Sequence, residues 1–133
     1  MGCPVKYTPE GGRINVKLAR DGGTIVFDVE NDRFGMVGYR IAPWLWNTGI
    51  CTEAMCRVVE FIFSETQLDR LQGNADVRNI GSNRVLKKSG FTLEGTIRHG
   101  KMVSRYCDYN IWGMIREDVV RNKVGDLQDA GIF

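Results

Sequence analysis

A segment between a predicted strand and a predicted helix has the residue types of an anion-binding turn. It reads Gly38-Tyr-Arg-Ile-Ala-Pro-Trp-Leu-Trp-Asn-Thr-Gly-Ile-Cys-Thr-Glu-Ala54. In such a unit the free backbone N–H groups of the loop and of the first helical turn converge on one point, where the helix dipole also favours negative charge. A phosphate group fits that position. Strand-to-helix loops with a glycine also occur as purely structural turns, so this segment alone leaves both interpretations open.

A second segment with a distinctive pattern lies further along the chain. It reads Asn79-Ile-Gly-Ser82-Asn-Arg-Val-Leu-Lys-Lys88-Ser-Gly90-Phe91. Asn79 can cap a short helix over about 81–89, and Gly90 occupies the C′ position where a left-handed residue is favoured. Further positions of the pattern follow this segment, namely Leu93-Glu94-Gly95, Arg98 and Asp108-Tyr109.

Taken together, these segments resemble the GNAT acyl-CoA N-acyltransferases, in particular the branch related to ribosomal-protein N-terminal acetyltransferases. The similarity spans about residues 13–116 and depends on two ordered motifs at the separation typical of the family. It implies an α+β fold, with a central, mostly antiparallel sheet of about six strands and a β-α-β acyl-CoA-binding core. Compared with the family, this sequence is expected to lack the usual N-terminal strand and helices.

The resemblance implies acetyl-CoA (coenzyme A) as the cofactor and direct transfer of an acetyl group to a primary amine, either a protein N-terminus or a small molecule. The cofactor-binding positions that it implies are Ile41, Ala42, Trp46, Asn47, Thr48, Gly49, Ile50, Cys51, Thr52, Asn79, Ser82 and Lys88. Within the family's pyrophosphate loop, Cys51 occupies a small-residue position and Asn47 replaces a glycine. An added Cβ there can crowd the phosphate, although Asn tolerates the left-handed region better than most residues.

The catalytic residues implied by the resemblance are Asn79 and Ser82. Many family members use a tyrosine as the acid that protonates the leaving thiolate, but Leu86 stands at that position here. In the ribosomal-protein branch a serine at the Ser82 position can serve instead. The alternative is that Ser82 satisfies backbone N–H groups at the helix start, and the sequence favours neither. A backbone N–H near Ile41 and Ala42 is expected to stabilise the oxyanion.

The sequence does not identify the general base that would deprotonate the amine. Five residues are candidates: Asp28, Glu30, Glu53, His99 and Asp108. Glu53 has a structural alternative, since a carboxylate in a first helical turn is stabilised by the helix dipole and by Arg57 one turn later. The others are equally consistent with solvated surface positions.

Hydrophobic periodicity predicts a single domain over 1–133, with the elements that position these motifs. Residues 1–12 contain Pro4, Pro9 and two glycines and are predicted to be an unstructured lead-in. Strands are predicted near 13–19, 24–29, 36–41, 71–77, 91–98 and 105–114, and helices near 49–66 and 81–89. A C-terminal tail occupies 117–133. The first strand, Arg13 to Ala19, is predicted to be an exposed sheet edge, which favours a homodimer.

Composition excludes several classes of protein. The 18 basic and 16 acidic residues give a formal charge of +2, which does not indicate a nucleic-acid or membrane partner. Four cysteines without a CxxC pair and a single histidine do not form a zinc motif, so no metal is expected. Without a leader-like apolar run, the cysteines are expected to be reduced and the protein cytoplasmic.

Two other functions remain open at this point. The chain can be a truncated, catalytically inert coenzyme A binder that acts as a dimeric scaffold, because the acceptor half of the family domain is short here. It can also be a drug-modifying acetyltransferase, which would need an acidic acceptor cleft. Binding of acetyl-CoA without turnover of any amine would distinguish the scaffold from the enzyme.

Overall fold

The structure is a computed structural model that describes residues 5–8, 12–17, 22–29, 33–41, 43–45 and 47–119. Its strands and helices are, in chain order, β1 (Val5–Thr8), β2 (Arg13–Lys17), β3 (Gly23–Val29), β4 (Phe34–Ile41), α1 (Ile50–Glu65), β5 (Arg70–Asp76), α2 (Ile80–Lys88), β6 (Thr92–Met102) and β7 (Arg105–Ile115). A 3₁₀ turn covers Pro43–Leu45, between β4 and α1. Both helices and the strands from β2 onward begin within about two residues of their predicted positions.

The seven strands form one sheet in the order β1-β2-β3-β4-β5-β7-β6. Only the β4–β5 pair is parallel, because α1 carries the chain across between them. This confirms the predicted α+β fold with a mostly antiparallel sheet and a β-α-β core. No helix in the described parts of the chain is long and apolar enough to cross a bilayer.

The prediction for the first residues of the chain is wrong. Val5–Thr8 forms β1 and pairs antiparallel with β2, with Val5 opposite Val16. Its β-branched and aromatic residues favour a strand. Pro4 and Pro9 were expected to prevent regular structure here, but in the sequence they only flank the four residues of the strand. The sheet therefore has one strand more than expected, and the strand that starts at Arg13 is not its edge. Of the predicted tail, residues 117–119 continue a last helical turn and the rest lies outside the described residues.

The two parallel strands separate halfway along their length. Phe34–Val37 of β4 pairs with Arg70–Gly73 of β5, and the pairing stops there. Beyond that point β4 pairs only with β3, and β5 pairs only with β7. The carboxyl ends of β4 and β5 thus form the two walls of an opening, which is where open α/β sheets bind ligands.

The hydrophobic core lies between the sheet and the two helices. Helix α1 contributes one apolar face, made of Cys51, Ala54, Met55, Val58, Val59, Ile62 and Phe63. Ile25, Phe27 and Leu71 of the sheet are fully buried against it. Gly73 allows α2 to approach closely, since a Cβ there would lie 2.9 Å from Cδ2 of Leu86 and 3.3 Å from Cγ1 of Val37. The small residue on β5 therefore sets how closely Leu86 and with it α2 pack against the sheet.

Candidate functional site

A cavity of about 610 Å³ lies beside the separated ends of β4 and β5, between the first turns of α1 and α2. It is lined by Tyr39, Asn47, Gly49, Cys51, Thr52, Asn79, Ile80, Gly81, Ser82, Arg84, Val85 and Lys88. The two sequence segments that carry the motifs thus meet around one cavity.

The predicted binding residues divide into three groups. Those that line the cavity are Asn47, Gly49, Cys51, Thr52, Asn79, Ser82 and Lys88. Thr48 and Ile50 lie between these residues in the sequence but do not line the cavity. Ile41 is the last residue of β4 and pairs with Gly23 of β3. Ala42 and Trp46 lie outside the described residues. The cavity supports the first group by position, and the binding role of every residue stays a prediction.

The loop before α1 has the backbone shape of an anion site. Gly49 is the N-cap of α1 with φ of 82°, and Asn47 also has a positive φ, of 60°. The Thr48 hydroxyl oxygen accepts from the N–H of Ile50 at 3.4 Å, whereas the N–H groups of Cys51 and Thr52 have no acceptor among the described residues. A Cβ built on Gly49 would meet nothing within 4 Å. The loop therefore presents open N–H groups at the positive end of a helix dipole, beside free space.

Cys51 contributes a neutral side chain to this loop. It is 6% exposed, and burial raises the pKa of its thiol to about 11. The thiol is therefore protonated at neutral pH and adds no negative charge beside the helix N-terminus.

On the opposite wall, Asn79 caps α2 as its position in the sequence predicts. Its Oδ1 accepts from the backbone N–H of Ser82 at 3.1 Å, and its carbonyl oxygen accepts from the N–H of Asn83 at 3.1 Å. The side-chain oxygen of Asn79 is thereby engaged in holding the helix start.

The Ser82 hydroxyl is not used as a helix cap. Its Oγ accepts a hydrogen bond from the Tyr39 hydroxyl at 2.6 Å, and the same tyrosine oxygen lies 3.0 Å from the Ser82 carbonyl oxygen. Tyr39 stands on β4, so this contact spans the cavity from one wall to the other. Tyr39 is partly buried, and that burial is the main cause that raises its pKa to about 12. It is a proton-bearing donor at every pH at which the protein would work.

The turn between β5 and α2 is held by a buried carboxylate. Asp76, at the end of β5, is 3% exposed. Its Oδ1 accepts from the backbone N–H of Arg78 at 2.9 Å, and its Oδ2 pairs with Nη2 of Arg78 at 3.1 Å and of Arg105 at 2.9 Å. These bonds, first of all those from Arg78, lower the pKa of Asp76 to about 2. Asp76 thus fixes the turn that leads directly to Asn79.

The charge around the cavity is positive. Arg84 and Lys88 of α2 line it one helical turn apart, and none of the described lining residues is acidic. Together with the open end of α1, they favour an anionic ligand with more than one charged group.

The base candidates lie elsewhere. None of Asp28, Glu53, His99 and Asp108 lines the cavity, and Glu30 is outside the described residues. The Asp108 carboxylate accepts from the backbone N–H of His99 at 2.8 Å, in the hairpin of β6 and β7. Asp108 therefore has a structural role in this hairpin, and the structure does not select a general base among the other candidates.

Sequence reasoning missed five of the lining residues as site residues, namely Tyr39, Ile80, Gly81, Arg84 and Val85. The alternation along β4 places Tyr39 on the same face as the buried Val37, which indicates the helix side of the sheet. Arg84 and Lys88, four positions apart on a helix, indicate a shared face. Neither pattern shows that the two faces meet at one cavity.

Comparisons with known proteins point to one family. The family model described as "Acetyltransferase (GNAT) domain" matches residues 8–92. The chain is 37% identical over 78 residues to the "Uncharacterized N-acetyltransferase YoaA" of Bacillus subtilis, an alignment that covers 57% of this chain and 44% of that protein. The chain spans about half the length of the curated relatives it matches.

Solved structures share the fold at low sequence identity. The ribosomal-protein-S5-alanine acetyltransferase of Vibrio fischeri is 22% identical, with a TM-score of 0.69 over 80% of this chain and 62% of that one. The microcin C7 self-immunity acetyltransferase MccE, solved with acetyl-CoA and AMP, is 21% identical, with a TM-score of 0.68 over 77% of this chain and 59% of that one. At these identities the likeness shows the shared fold.

Proposed function

The chain belongs to the GNAT acetyltransferase family, and from that premise we propose that it is an acetyl-CoA-dependent N-acetyltransferase that acts on a primary amine by direct transfer. One observation carries the proposal. The cavity joins a helix start at Gly49 that is shaped to bind an anion to the side-chain hydroxyl of Ser82, which keeps its own proton while it accepts from Tyr39. These two features are what is needed to hold a phosphorylated thioester and to protonate its leaving group.

The residues present fit acetyl-CoA. The open N–H groups of Cys51 and Thr52 and the empty space beside Gly49 suit a pyrophosphate group. Arg84 and Lys88 supply positive charge for the remaining phosphate. Asn47 already adopts a left-handed conformation, so the asparagine that replaces the family glycine does not change the loop. The other binding positions implied by the sequence, from Ile41 to Ile50, belong to the same proposal.

When bound, acetyl-CoA supplies an acetyl thioester: the amine nitrogen bonds to its carbonyl carbon, the carbon–sulfur bond breaks with its electrons on sulfur, and coenzyme A leaves as the thiol. In this proposal the Ser82 hydroxyl gives its proton to the departing sulfur and regains one from solvent, while the amine loses its proton to solvent. The backbone near Ile41 and Ala42 provides an N–H group for the oxyanion.

The acceptor amine is a protein N-terminus or a small molecule. The second segment, from Asn79 to Phe91, supports the ribosomal-protein branch. The charged side chains among the described residues that line the cavity, Arg84 and Lys88, are basic, which does not favour a polycationic acceptor bound within it. A cytoplasmic location and a homodimer, both expected from the sequence, stay predictions.

The test is calorimetry with acetyl-CoA together with thiol release over an amine panel that contains an N-terminal alanine peptide, an N-terminal serine peptide and spermidine. We expect micromolar binding and turnover of at least one amine. Binding without turnover of any amine would replace the proposal with the inert coenzyme A scaffold. No binding at millimolar acetyl-CoA would refute both.

A further inference from the structure

We infer that Tyr39 is a positioning residue for Ser82: it holds the serine oxygen from across the cavity, so that the serine proton is directed to the reacting group. The inference rests on the proposed function, because it concerns how Ser82 would act as the acid. It begins from two hydroxyl oxygens that are 2.6 Å apart and belong to different walls of the cavity.

The direction of the hydrogen bond decides what Ser82 can do. Tyr39 has one hydroxyl proton, and the Ser82 Oγ at 2.6 Å is a nearer acceptor than the Ser82 carbonyl at 3.0 Å. When Tyr39 donates to Oγ, Ser82 keeps its own proton available. Among the described residues, no group accepts that proton. Asn79 holds the backbone N–H of Ser82, and the contact with Tyr39 holds its side chain.

Tyr39 is a dependable donor at this place. Burial raises the pKa of Tyr39 to about 12, so the phenol stays protonated at the pH values at which amines are acetylated. A phenol that donates to Oγ also stabilises negative charge on that oxygen. When Ser82 releases its proton to the departing sulfur, the Tyr39 phenol, which is the more acidic of the two hydroxyls, supplies a proton to Oγ, and solvent returns one proton to the pair. The tyrosine therefore both orients the serine and makes it a stronger acid.

The tertiary structure holds this pair in place through the walls themselves. Tyr39 lies on the part of β4 that has left β5, and Ser82 lies in the first turn of α2, which Leu86 seats against Gly73. The pair bridges the opening between the separated strands, beside the backbone that would bind the oxyanion. A proton donor held at this point lies where a leaving group of the proposed reaction would depart.

The experiment is a double-mutant cycle on kcat in the full chain, with Tyr39→Phe, Ser82→Ala and the combined variant. We expect Ser82→Ala to lower kcat ten- to a thousandfold and Tyr39→Phe to lower it about tenfold, with acetyl-CoA affinity by calorimetry within about twofold of wild type. In the Ser82→Ala background, removal of the Tyr39 hydroxyl should change kcat by less than about twofold, because its partner is gone. Tyr106→Phe, which removes an exposed phenol that stacks on His99, is the matched control and should leave kcat unchanged.

Three outcomes would overturn the inference. Tyr39→Phe could leave kcat unchanged, it could lower kcat by the same factor in both backgrounds, or it could act through acetyl-CoA affinity alone. In each of these cases the wild-type turnover that supports the proposed function still stands. If the wild type turns over no amine, the proposed function fails and the inference fails with it. Ser82→Thr is a second, independent variant: it keeps the hydroxyl, so a Thr variant as slow as Ser82→Ala would also contradict the inference.

Discussion

The side-chain oxygen of Asn83 accepts a hydrogen bond from the indole Nε1 of Trp112 at 2.8 Å. The same oxygen accepts from Nδ2 of Asn110 at 2.8 Å, and Nδ2 of Asn83 donates to the carbonyl oxygens of Asp76 and Asn79. One amide on α2 thus bonds to β7 and to the turn that carries the helix cap. This network holds the second wall of the cavity against the sheet.

Replacing that amide should destabilise the fold. Asn83→Ala leaves the indole N–H of Trp112, which is 6% exposed, without its partner, so we expect the free energy of unfolding to fall by about 1–3 kcal/mol. Asn83→Asp keeps the acceptor but sets a carboxylate oxygen against the carbonyl oxygens of Asp76 and Asn79, so its free energy of unfolding should also be lower than that of wild type. Urea unfolding followed by tryptophan fluorescence measures the change. A loss below about 0.5 kcal/mol for Asn83→Ala would mean that the network contributes little.

Charge at the start of α1 should control acetyl-CoA affinity. Gly49→Asp places a carboxylate beside the position proposed for the pyrophosphate, and the affinity should fall at least several-fold by calorimetry. Gly49→Asn is the matched control, because it has the same shape, tolerates the positive φ of 82° equally well and carries no charge. Equal affinities for the two variants would show that the phosphates bind elsewhere.

Asp76 should make the stability of the protein sensitive to acid. Its pKa is lowered to about 2 in the folded state, below the usual value of 3.8. The carboxylate therefore contributes stability above about pH 4, and this contribution is lost as the pH falls from about 4 to about 2. The difference in urea midpoint between wild type and Asp76→Asn should be largest at pH 7 and should narrow at pH 2.5. A difference that does not depend on pH would assign the role of Asp76 to packing alone.

Cys51 should be unreactive despite its position in the loop. With a pKa of about 11, the fraction of Cys51 present as thiolate at pH 7.5 is about a hundredfold smaller than for a free cysteine. Burial also hinders access of the reagent to the sulfur. Iodoacetamide labelling followed by peptide mass spectrometry should show Cys51 alkylated at least about a hundredfold more slowly in the folded protein than in urea. Labelling at the same rate in both states would show that the thiol is exposed or ionised in solution. Cys51→Ala should keep acetyl-CoA affinity within about twofold of wild type.

The chain is predicted to form a homodimer. Strand β1 covers the edge that the sequence had assigned to β2, so the prediction now depends on the other side of the sheet, where β6 is the last strand. Two of its apolar side chains are exposed, Leu93 by 50% and Ile97 by 40%, and an uncovered strand of this kind favours pairing. Light scattering at high micromolar concentration should give twice the mass of one chain. A monomer mass would contradict the prediction, and a dimer that persists in the Ile97→Lys variant would place the interface elsewhere.

Much of the fold was predictable because local patterns determine it. Period-two alternation and turn residues located the strands from β2 to β7, and apolar recurrence every three to four residues located α1, as expected for amphipathic elements. The first strand was missed because four residues between two prolines carry too little periodicity to distinguish a strand from a loop. Its pairing with β2 is a contact between segments, which local pattern does not encode.

For the candidate site, the sequence by itself determined the chemistry of each wall. The glycine before α1 acts through its own dihedral angles, and the asparagine cap on α2 acts through a side-chain bond to a residue three positions on. Both effects are local in the chain, so Gly49 and Asn79 were identified before the structure. Only the tertiary structure decided which side chains face each other across the cavity. Tyr39 and Ser82 are 43 residues apart and meet because β4 and β5 separate and Gly73 admits α2. The reason is physical: a cap depends on local dihedral angles, whereas a contact across the cavity depends on how the packed strands and helices are positioned relative to one another.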